Sequence, residues 1–332
     1  MAGNAKQKLK LLVLADIFEH LTDEEHPLSS SQLLSELQKR DIICERKSVY
    51  ADIETLMNYG YDIVKMSSPK RGYFLASRSF ELAEVRLLMD AVRSADFITM
   101  KKTRELLLKL QNLLSDYQGQ SLMRQMYFEH GNKCRNEEIL YNIHMVNEAI
   151  GKKQKVTFQY HKQRILENRA IESQNREFCL SPYALLWENN QYYLVGNYEK
   201  FDNLSHFRMD RISKMTITDQ PWRNFEEVSN YRGVFDVADY AKKNFNMFSG
   251  KSEPVQLRCQ NECYEMVMDR FGQQSVVHVC EDGTFLIKAV VYVSDGLIRW
   301  LMQFGDLVEV VSPSPLREAV ALKARTMLAH YQ

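Results

Sequence analysis

Residues 180–198 read LSPYALLWENNQYYLVGNY, and residues 205–215 read SHFRMDRISKM. Residues 178–187 and 192–198 are rich in aromatic and aliphatic side chains, and Glu188-Asn189-Asn190-Gln191 between them are turn formers. The pair predicts a β-hairpin. Upstream, Val156, Phe158 and Tyr160 alternate with polar residues at the period of a half-buried strand. Downstream, residues 207–218 supply at least one more. Four or five short, mostly antiparallel strands within residues 155–218 predict a small β-barrel.

Beyond Pro221-Trp222, a polar stretch dotted with aromatics runs to residues 250–253 and reads as a linker. Strands are then expected over 255–259, 276–280, 285–293 and 307–311, and helices over 264–271, 296–304 and 315–330. A turn at Asp282-Gly283 separates the second and third strands. This is the β-α-β-β-α-β order of a ferredoxin-like fold with one helix added.

At the other end, Leu11, Leu14, Ala15, Phe18 and Leu21 recur at helical spacing. Residues 22–27 break that helix, and Ser29-Ser30-Ser31 offer an N-cap for a second carrying Leu33, Leu34 and Leu37. After a short link over 40–44, a third helix places Val49, Ile53, Leu56 and Met57 on one face, and Gly60 stops it. Residues 61–66 and 73–75 flank a Ser/Pro/Gly turn and predict a second hairpin. Helix, helix, turn, helix, hairpin is the order of a winged helix-turn-helix. In such a head the second helix of the motif presents its N-terminal residues to base edges and phosphates. Here those residues are Arg46, Lys47, Ser48 and Tyr50, with Lys70 and Arg71 at the tip of the wing. Arg46 and Lys47 suit guanine edges or phosphate, and the hydroxyls of Ser48 and Tyr50 suit phosphate oxygens. Residues 40–78 hold seven Lys/Arg against five Asp/Glu, so the order of elements carries this reading and charge does not.

Between head and barrel, Leu82, Val85, Leu88, Met89 and Val92 keep a 3.6-residue period. Leu106, Leu107, Leu110, Leu113 and Leu114 continue it after a break near Ile98-Thr99. A third segment with Ile139, Ile143, Val146 and Ile150 follows a polar link around residues 130–135. The chain therefore divides into a winged helix-turn-helix domain (1–78), a helical connector (79–137), a barrel domain (138–220), and a linker with C-terminal extension (221–332). The expected fold class is α+β.

Composition limits what such a chain does. In 332 residues, 43 Lys/Arg balance 43 Asp/Glu, which excludes a polycationic nucleic-acid packer and leaves only local basic patches. No apolar run approaches the ~20 residues needed to cross a bilayer, and residues 1–14 lack a signal-peptide core. Cytoplasmic localisation, with no membrane partner, is expected. The six cysteines form no CxxC pair and fit reduced thiols. Cys259, Cys263, His278 and Cys280 match no zinc-finger or ribbon spacing and read as packing, so no metal is expected. On paper Asp210, Glu188 and His206 assemble into an acid/base site. No GxSxG, HExxH, P-loop or GxGxxG run accompanies them, so neither an enzyme nor a cofactor is expected.

RKSVYADIETLMNYGYDI (46–63) followed by KRGYFL (70–75) resembles the DNA-binding head of bacterial WYL-domain transcriptional regulators, with Ala51 where many relatives carry Arg. Residues 180–215 resemble the WYL domain itself, the Trp-Tyr-Leu trio reading Tyr192-Tyr193-Leu194. The run RWLMQFGD (299–306), with RFG at Arg270, resembles the extension that follows WYL domains. The resemblance implies an Sm-like or SH3-like barrel that senses a nucleic-acid or nucleotide-like effector. The connector helices cover their apolar faces within the chain or against a second copy, and a homodimer on double-stranded operator DNA is expected because palindromic operators match two-fold proteins. On the barrel, His206, Arg208 and Asp210 alternate along one strand, and Arg208 and Arg211 offer guanidinium forks suited to phosphate. Tyr160, Tyr183 and Tyr193 offer stacking faces, and Ser181 a hydroxyl donor. Asp210 reads as an ion-pair partner of Arg208 or Arg211. The alternative is an accessory protein whose WYL barrel grips RNA or single-stranded DNA in a defence or repair system.

Overall fold

A computed structural model describes residues 2–126, 133–166, 169, 171–272 and 275–332. Helix takes 43% and strand 28% of the chain, and the two are largely segregated, so the fold is α+β. Two compact units divide it, residues 1–134 and 135–332.

The first unit opens with α1 (Ala2–Leu21), α2 (Ser30–Gln38), α3 (Arg46–Tyr59), β1 (Ile63–Met66) and β2 (Gly72–Leu75). Leu14, Ile17 and Phe18 of α1 meet Leu33 and Leu37 of α2 and Val49, Ile53 and Leu56 of α3 in one core. Ser29 caps α2 reciprocally: its Oγ accepts from the Gln32 N–H, and Gln32 Oε1 accepts from the Ser29 N–H. Gly60 ends α3 at φ 118°, a conformation that L side chains resist. Met57 departs from expectation. It is 50% exposed, because it lies about 100° around the helix from Leu56 and off the buried stripe. β1 and β2 pair antiparallel from Ile63↔Leu75 to Met66↔Gly72. Leu28 bridges to Tyr73 across the other edge of β2. A side chain at Gly72 would strike the Leu28 backbone at 2.7 Å, so that bridge requires glycine.

Three helices complete this unit: α4 (Leu82–Ser94), α5 (Met100–Gln111) and α6 (Asp116–Gln125). The helix expected to run through Leu114 stops at Gln111, and Ser115 caps a new one by accepting from the Gln118 N–H. Their shared core holds Val85, Met89, Leu107, Leu114, Leu122 and Met126. Leu82 and Leu88, expected on the buried face, are 42% and 38% exposed. Residues 130–132 of the expected polar link lie outside the described residues.

The second unit begins with α7 (Ile139–Lys152), β3 (Gln154–Ile165), β4 (Ile171–Glu188), β5 (Gln191–Tyr198), β6 (Ser205–Arg208) and β7 (Ile212–Pro221). Asn189 and Asn190 turn β4 into β5 with φ 50° and 57°, the left-handed pair that a two-residue hairpin needs. The sheet order is β6-β5-β4-β3-β7. Its first and last strands are nonetheless joined by only a 3₁₀ turn, Met209–Arg211. Three residues span ~10 Å at most, so the sheet curls until its two edges approach each other. Helix α7 lies against it, with the buried Asn142 donating to the Ile212 carbonyl.

The stretch expected as a linker is packed. It contains α8 (Phe225–Val228) and α9 (Val237–Lys243). Trp222, Phe225, Val228, Tyr231, Phe235 and Tyr240 cover Tyr183, Ala184 and Val195 of the sheet, forming a second core. β8 (Lys251–Cys259), α10 (Tyr264–Phe271), β9 (Val277–Val279), β10 (Phe285–Val293), α11 (Asp295–Met302), β11 (Val308–Ser312) and α12 (Ser314–Ala329) follow. The strands pair antiparallel in the order β11-β8-β10-β9. Cys259 and Cys263 are fully buried in the core of this sheet and its helices, and burial pushes the Cys259 thiol up to about 12.

Candidate nucleic-acid interface

Strand parity builds a concave aromatic face on the curled sheet. Phe158 stands opposite Phe178 and Tyr160 opposite Arg176, with Lys162 opposite Gln174, all on one side of the β3–β4 ladder. Leu180 opposite Tyr198 extends that face onto β5. Phe207 of β6 meets the rings of Phe158 and Tyr160 edge-on at 5.2 Å and that of Phe178 at 4.8 Å. Tyr198 continues the series at 5.3 Å from Phe178, and Phe201 lies 6.0 Å beyond it.

Where β3 and β4 run past the core, the same parity delivers cations. Lys162 Nζ lies 5.8 Å from the Tyr160 ring and Lys200 Nζ 5.8 Å from the Phe201 ring. With Arg176, they rim a cavity of about 470 Å³ whose other walls include Ser205, His206, Met247 and Phe248. All three cations are exposed, and none forms an ion pair among the described residues. Phe158, Tyr160 and Phe207 are buried, which leaves Phe178, Tyr198 and Phe201 as rings that a base could reach. Such rings beside cations able to track phosphates are components of a single-strand binding surface.

Of the residues singled out by sequence, Tyr160 and His206 line this cavity. His206 brings no charge to it. Its Nε2 lies 2.5 Å from the Tyr240 hydroxyl, and burial lowers its pKa to about 4 against an opposing hydrogen bond to the Met247 backbone. The ring is neutral at pH 7.

Arg208, Tyr193, Asp210 and Arg211 gather beside the cavity. The Tyr160 hydroxyl accepts from the Arg208 N–H at 3.3 Å, and Tyr193 pairs with Arg208 across β5 and β6. The Arg208 fork is occupied: Nε donates to Asp210 Oδ1 at 3.0 Å and Nη2 to Oδ2 at 2.7 Å. That ion pair is the one expected for Asp210, and a phosphate at Arg208 would have to displace the carboxylate. Burial raises the Tyr193 phenol. Arg211 is exposed on the 3₁₀ turn.

Tyr183 and Ser181 lie away from this group. The Tyr183 hydroxyl donates to the Arg223 carbonyl at 2.6 Å, and its ring packs against Trp222 and Phe225. Burial moves its pKa well above the phenol range. Ser181 is 1% exposed, and its Oγ accepts from the Arg223 N–H at 2.9 Å. Both are absorbed by packing under the 222–245 stretch. Lys162, Arg176, Phe178, Tyr198, Lys200 and Phe201 were missed in the sequence. The available signal was the Val156-Phe158-Tyr160 alternation, which reaches Lys162 two residues on.

A second basic surface lies on the head. Arg46 and Lys47 are exposed at the start of α3. Arg46 Nε donates to the Tyr50 hydroxyl at 2.9 Å, and that hydroxyl donates to Ser30 Oγ at 3.2 Å. Tyr50 and Tyr73 lie 6.3 Å apart, and Lys65 Nζ is 5.8 Å from the Tyr73 ring, so the hairpin adds two residues the sequence reading omitted. Ser48 is drawn inward, its hydroxyl accepting from Lys10, which also pairs with Asp52 at 2.7 Å. Lys70 Nζ donates to the Glu25 carbonyl at 2.6 Å, while Arg71 is exposed.

Among the described residues no helix is long and apolar enough to cross a membrane. No curated protein matches the chain. Among solved structures, proteasome accessory factor B/C (PafBC) of Arthrobacter aurescens is similar over 95% of this chain and 46% of its own, at 16% identity and a TM-score of 0.28. This chain thus spans about half the length of that protein. A CRISPR Cas-related protein is similar over 98% of this chain and 85% of its own, at 13% identity and a TM-score of 0.38. Two family models match at defined places, and the chain therefore carries a WYL domain over residues 142–217 and a WCX domain over residues 251–328.

Proposed function

We propose that the protein is a DNA-binding transcriptional regulator of the bacterial cytoplasm. In this reading residues 1–78 are a winged helix-turn-helix, and the WYL domain is an Sm-like barrel that senses a nucleotide-like or nucleic-acid ligand. The observation that carries the reading is the face of α3. Arg46 and Lys47 stand exposed on its first turn, Tyr50 braces Arg46, and the hairpin adds Lys65 beside them. A helix presented by its N-terminal turn, flanked by a hairpin, suits a major groove with phosphates on either side.

Binding alone accounts for the polar groups near the sheet. His206 is neutral, Asp210 holds Arg208, and Glu188 faces Arg270 at 3.5 Å. These three groups, the ones a catalytic reading would use, are thus neutral or paired, and we propose no enzymatic step.

Selecting bound fragments from the source genome, with and without cell extract, tests the reading. On the best fragment, Lys47→Ala is expected to weaken binding about tenfold near physiological salt and to flatten the log–log salt slope by about one unit. Lys47 is exposed and forms no hydrogen bond or ion pair among the described residues, so melting should be unchanged. Equal affinity and slope would remove α3 from the groove.

A two-fold assembly belongs to the same proposal, because palindromic operators match two-fold proteins. Leu87 and Leu108 on α4 and α5 are 71% and 56% exposed, apolar surface of the kind a second copy covers. Light scattering should give a mass near twice 39.0 kDa. A value near 39.0 kDa at micromolar concentration, with and without DNA, would rule the dimer out.

The aromatic cavity favours a second reading, an accessory protein that holds RNA or single-stranded DNA. Its rings and three cations, unpaired among the described residues, fit a splayed strand better than a duplex.

A further inference from the structure

α12 is held to its domain by one end. Leu316 is buried, Val320 packs against the same core, and Arg317 pairs with Glu309 at 2.6 Å. From Ala321 to Gln332 every residue is exposed. Leu322, Met327 and Leu328 are among them and lie roughly 100–140° apart around the helix axis, so the free end is apolar on several sides. A helix of that kind is normally embedded in protein. Intrinsic propensity does not replace the missing cover, since isolated helices shorter than about 12–15 residues are marginal in water. The free end is also basic. It carries Lys323, Arg325 and His330, no carboxylate side chain follows Glu318, and none of these three forms an ion pair among the described residues.

The complementary face stands on α10. Its outer side carries Glu265, Met266 and Asp269, and Glu262 precedes them in the 3₁₀ turn Asn261–Cys263. All four are exposed, and the three carboxylates form no ion pair among the described residues, the adjacent Arg270 being turned to Glu188 at 3.5 Å. Asp269 lies in the last turn of α10, where the negative end of the helix dipole disfavours a carboxylate and a nearby cation would offset it. Glu262, Met266 and Asp269 follow the i, i+4, i+7 spacing of one helical stripe. Lys323, Met327 and His330 repeat that spacing with the opposite character at both ends. The two methionines at the centres are each 54% exposed. Within one chain both stripes are open to solvent, so neither covers the other.

We propose that the free end of α12 docks on the outer face of α10 in a second copy of this chain, and that the exchange is made twice about a two-fold axis. Charge selects the occupant: the basic stripe needs an acidic one with a matching apolar centre, and this chain carries it. A two-fold pair lets each copy give its basic stripe and receive the other's, so one closed arrangement covers all four faces. Head-to-tail docking would pair the same faces and leave one of each open at the ends of a filament. The inference rests on the two-fold assembly proposed above, supplies contacts for it on the WCX domain, and is independent of DNA.

Sedimentation of the full chain over a concentration series tests the exchange. Wild type should be dimeric at micromolar concentration. Lys323→Glu with His330→Glu in one variant, and Glu262→Lys with Asp269→Lys in another, should each raise the dimer dissociation constant roughly a hundredfold, because each sets like charges against each other in both contacts. Mixing the two variants should restore a dimer within about threefold of the wild-type constant, since in the mixed pair every acidic stripe again meets a basic one. That recovery also excludes misfolding as the cause of the loss. A monomeric wild type overturns this inference together with the two-fold assembly. A dimeric wild type whose reversed variants dimerise equally well overturns the inference alone, as does a loss in both variants that mixing does not repair. A wild-type mass that climbs past twice 39.0 kDa with concentration overturns the closed exchange.

Discussion

Replacing Lys162, Arg176 and Lys200 together by alanine is expected to lower the affinity of the protein for oligothymidine by roughly a hundredfold or more at low salt. Each is an exposed cation without an ion-pair partner among the described residues, at the rim of the cavity lined by Tyr160, Phe178, Tyr198 and Phe201. Phosphate neutralisation on a single strand contributes about 0.7 to the salt slope per contact, so the log–log slope should flatten by roughly two units. The rings remain, and residual binding should be weak and nearly independent of salt. Fluorescence anisotropy with labelled oligothymidine across a salt series measures both quantities. Unchanged affinity in a variant with a native melting curve would mean that the cavity does not hold a strand.

Acid is expected to destabilise the second unit through His206. An unfolded histidine titrates near 6.5, whereas burial holds the folded ring at about 4. The unfolded chain therefore takes up a proton first. The contribution of this residue is fully present above pH 6.5 and is lost as pH falls towards 4, amounting to about 3 kcal/mol. His206→Gln keeps an acceptor for the Tyr240 hydroxyl and removes the titration. Denaturant unfolding of both proteins between pH 7.5 and 4.5 should show the wild-type curve falling towards that of the variant as acid is added. A constant gap would mean that the imidazole is not buried in its neutral form.

Local signals in the sequence located most elements, and their failures share one cause. Ser29, Gly60 and the Asn189-Asn190 turn act through their own backbone, so the capping and turn rules find them directly. The same holds for α10 and β10, whose bounds lie where the apolar period begins and ends. α6 was invisible because its ten residues bury little beyond Gly119 and Leu122, and a stripe that narrow has no period. The 222–245 stretch looked like a linker because its aromatics are spaced to cover another element's surface and not to form a helix face. The burial of Tyr183 and Ser181 is hidden from the sequence for the same reason: what covers them is that stretch. The candidate cavity was half legible. Tyr160 and His206 came from the strand pattern, whereas Lys200 and Phe201 sit in a loop that only the curled sheet brings beside Lys162.

Tyr240 and Phe245 are five residues apart, yet the first belongs to the core that covers the curled sheet and the second to the core of the β8–β11 sheet. A tie that short leaves little room for one of these bodies to melt while the other stays native. Loosening the curled sheet uncovers Tyr240, and freeing Tyr240 pulls on the anchor of Phe245. The WYL and WCX domains match as separate stretches of sequence but lie in one compact unit, residues 135–332, and are expected to unfold together. Damage inflicted on either should register in the unfolding of both.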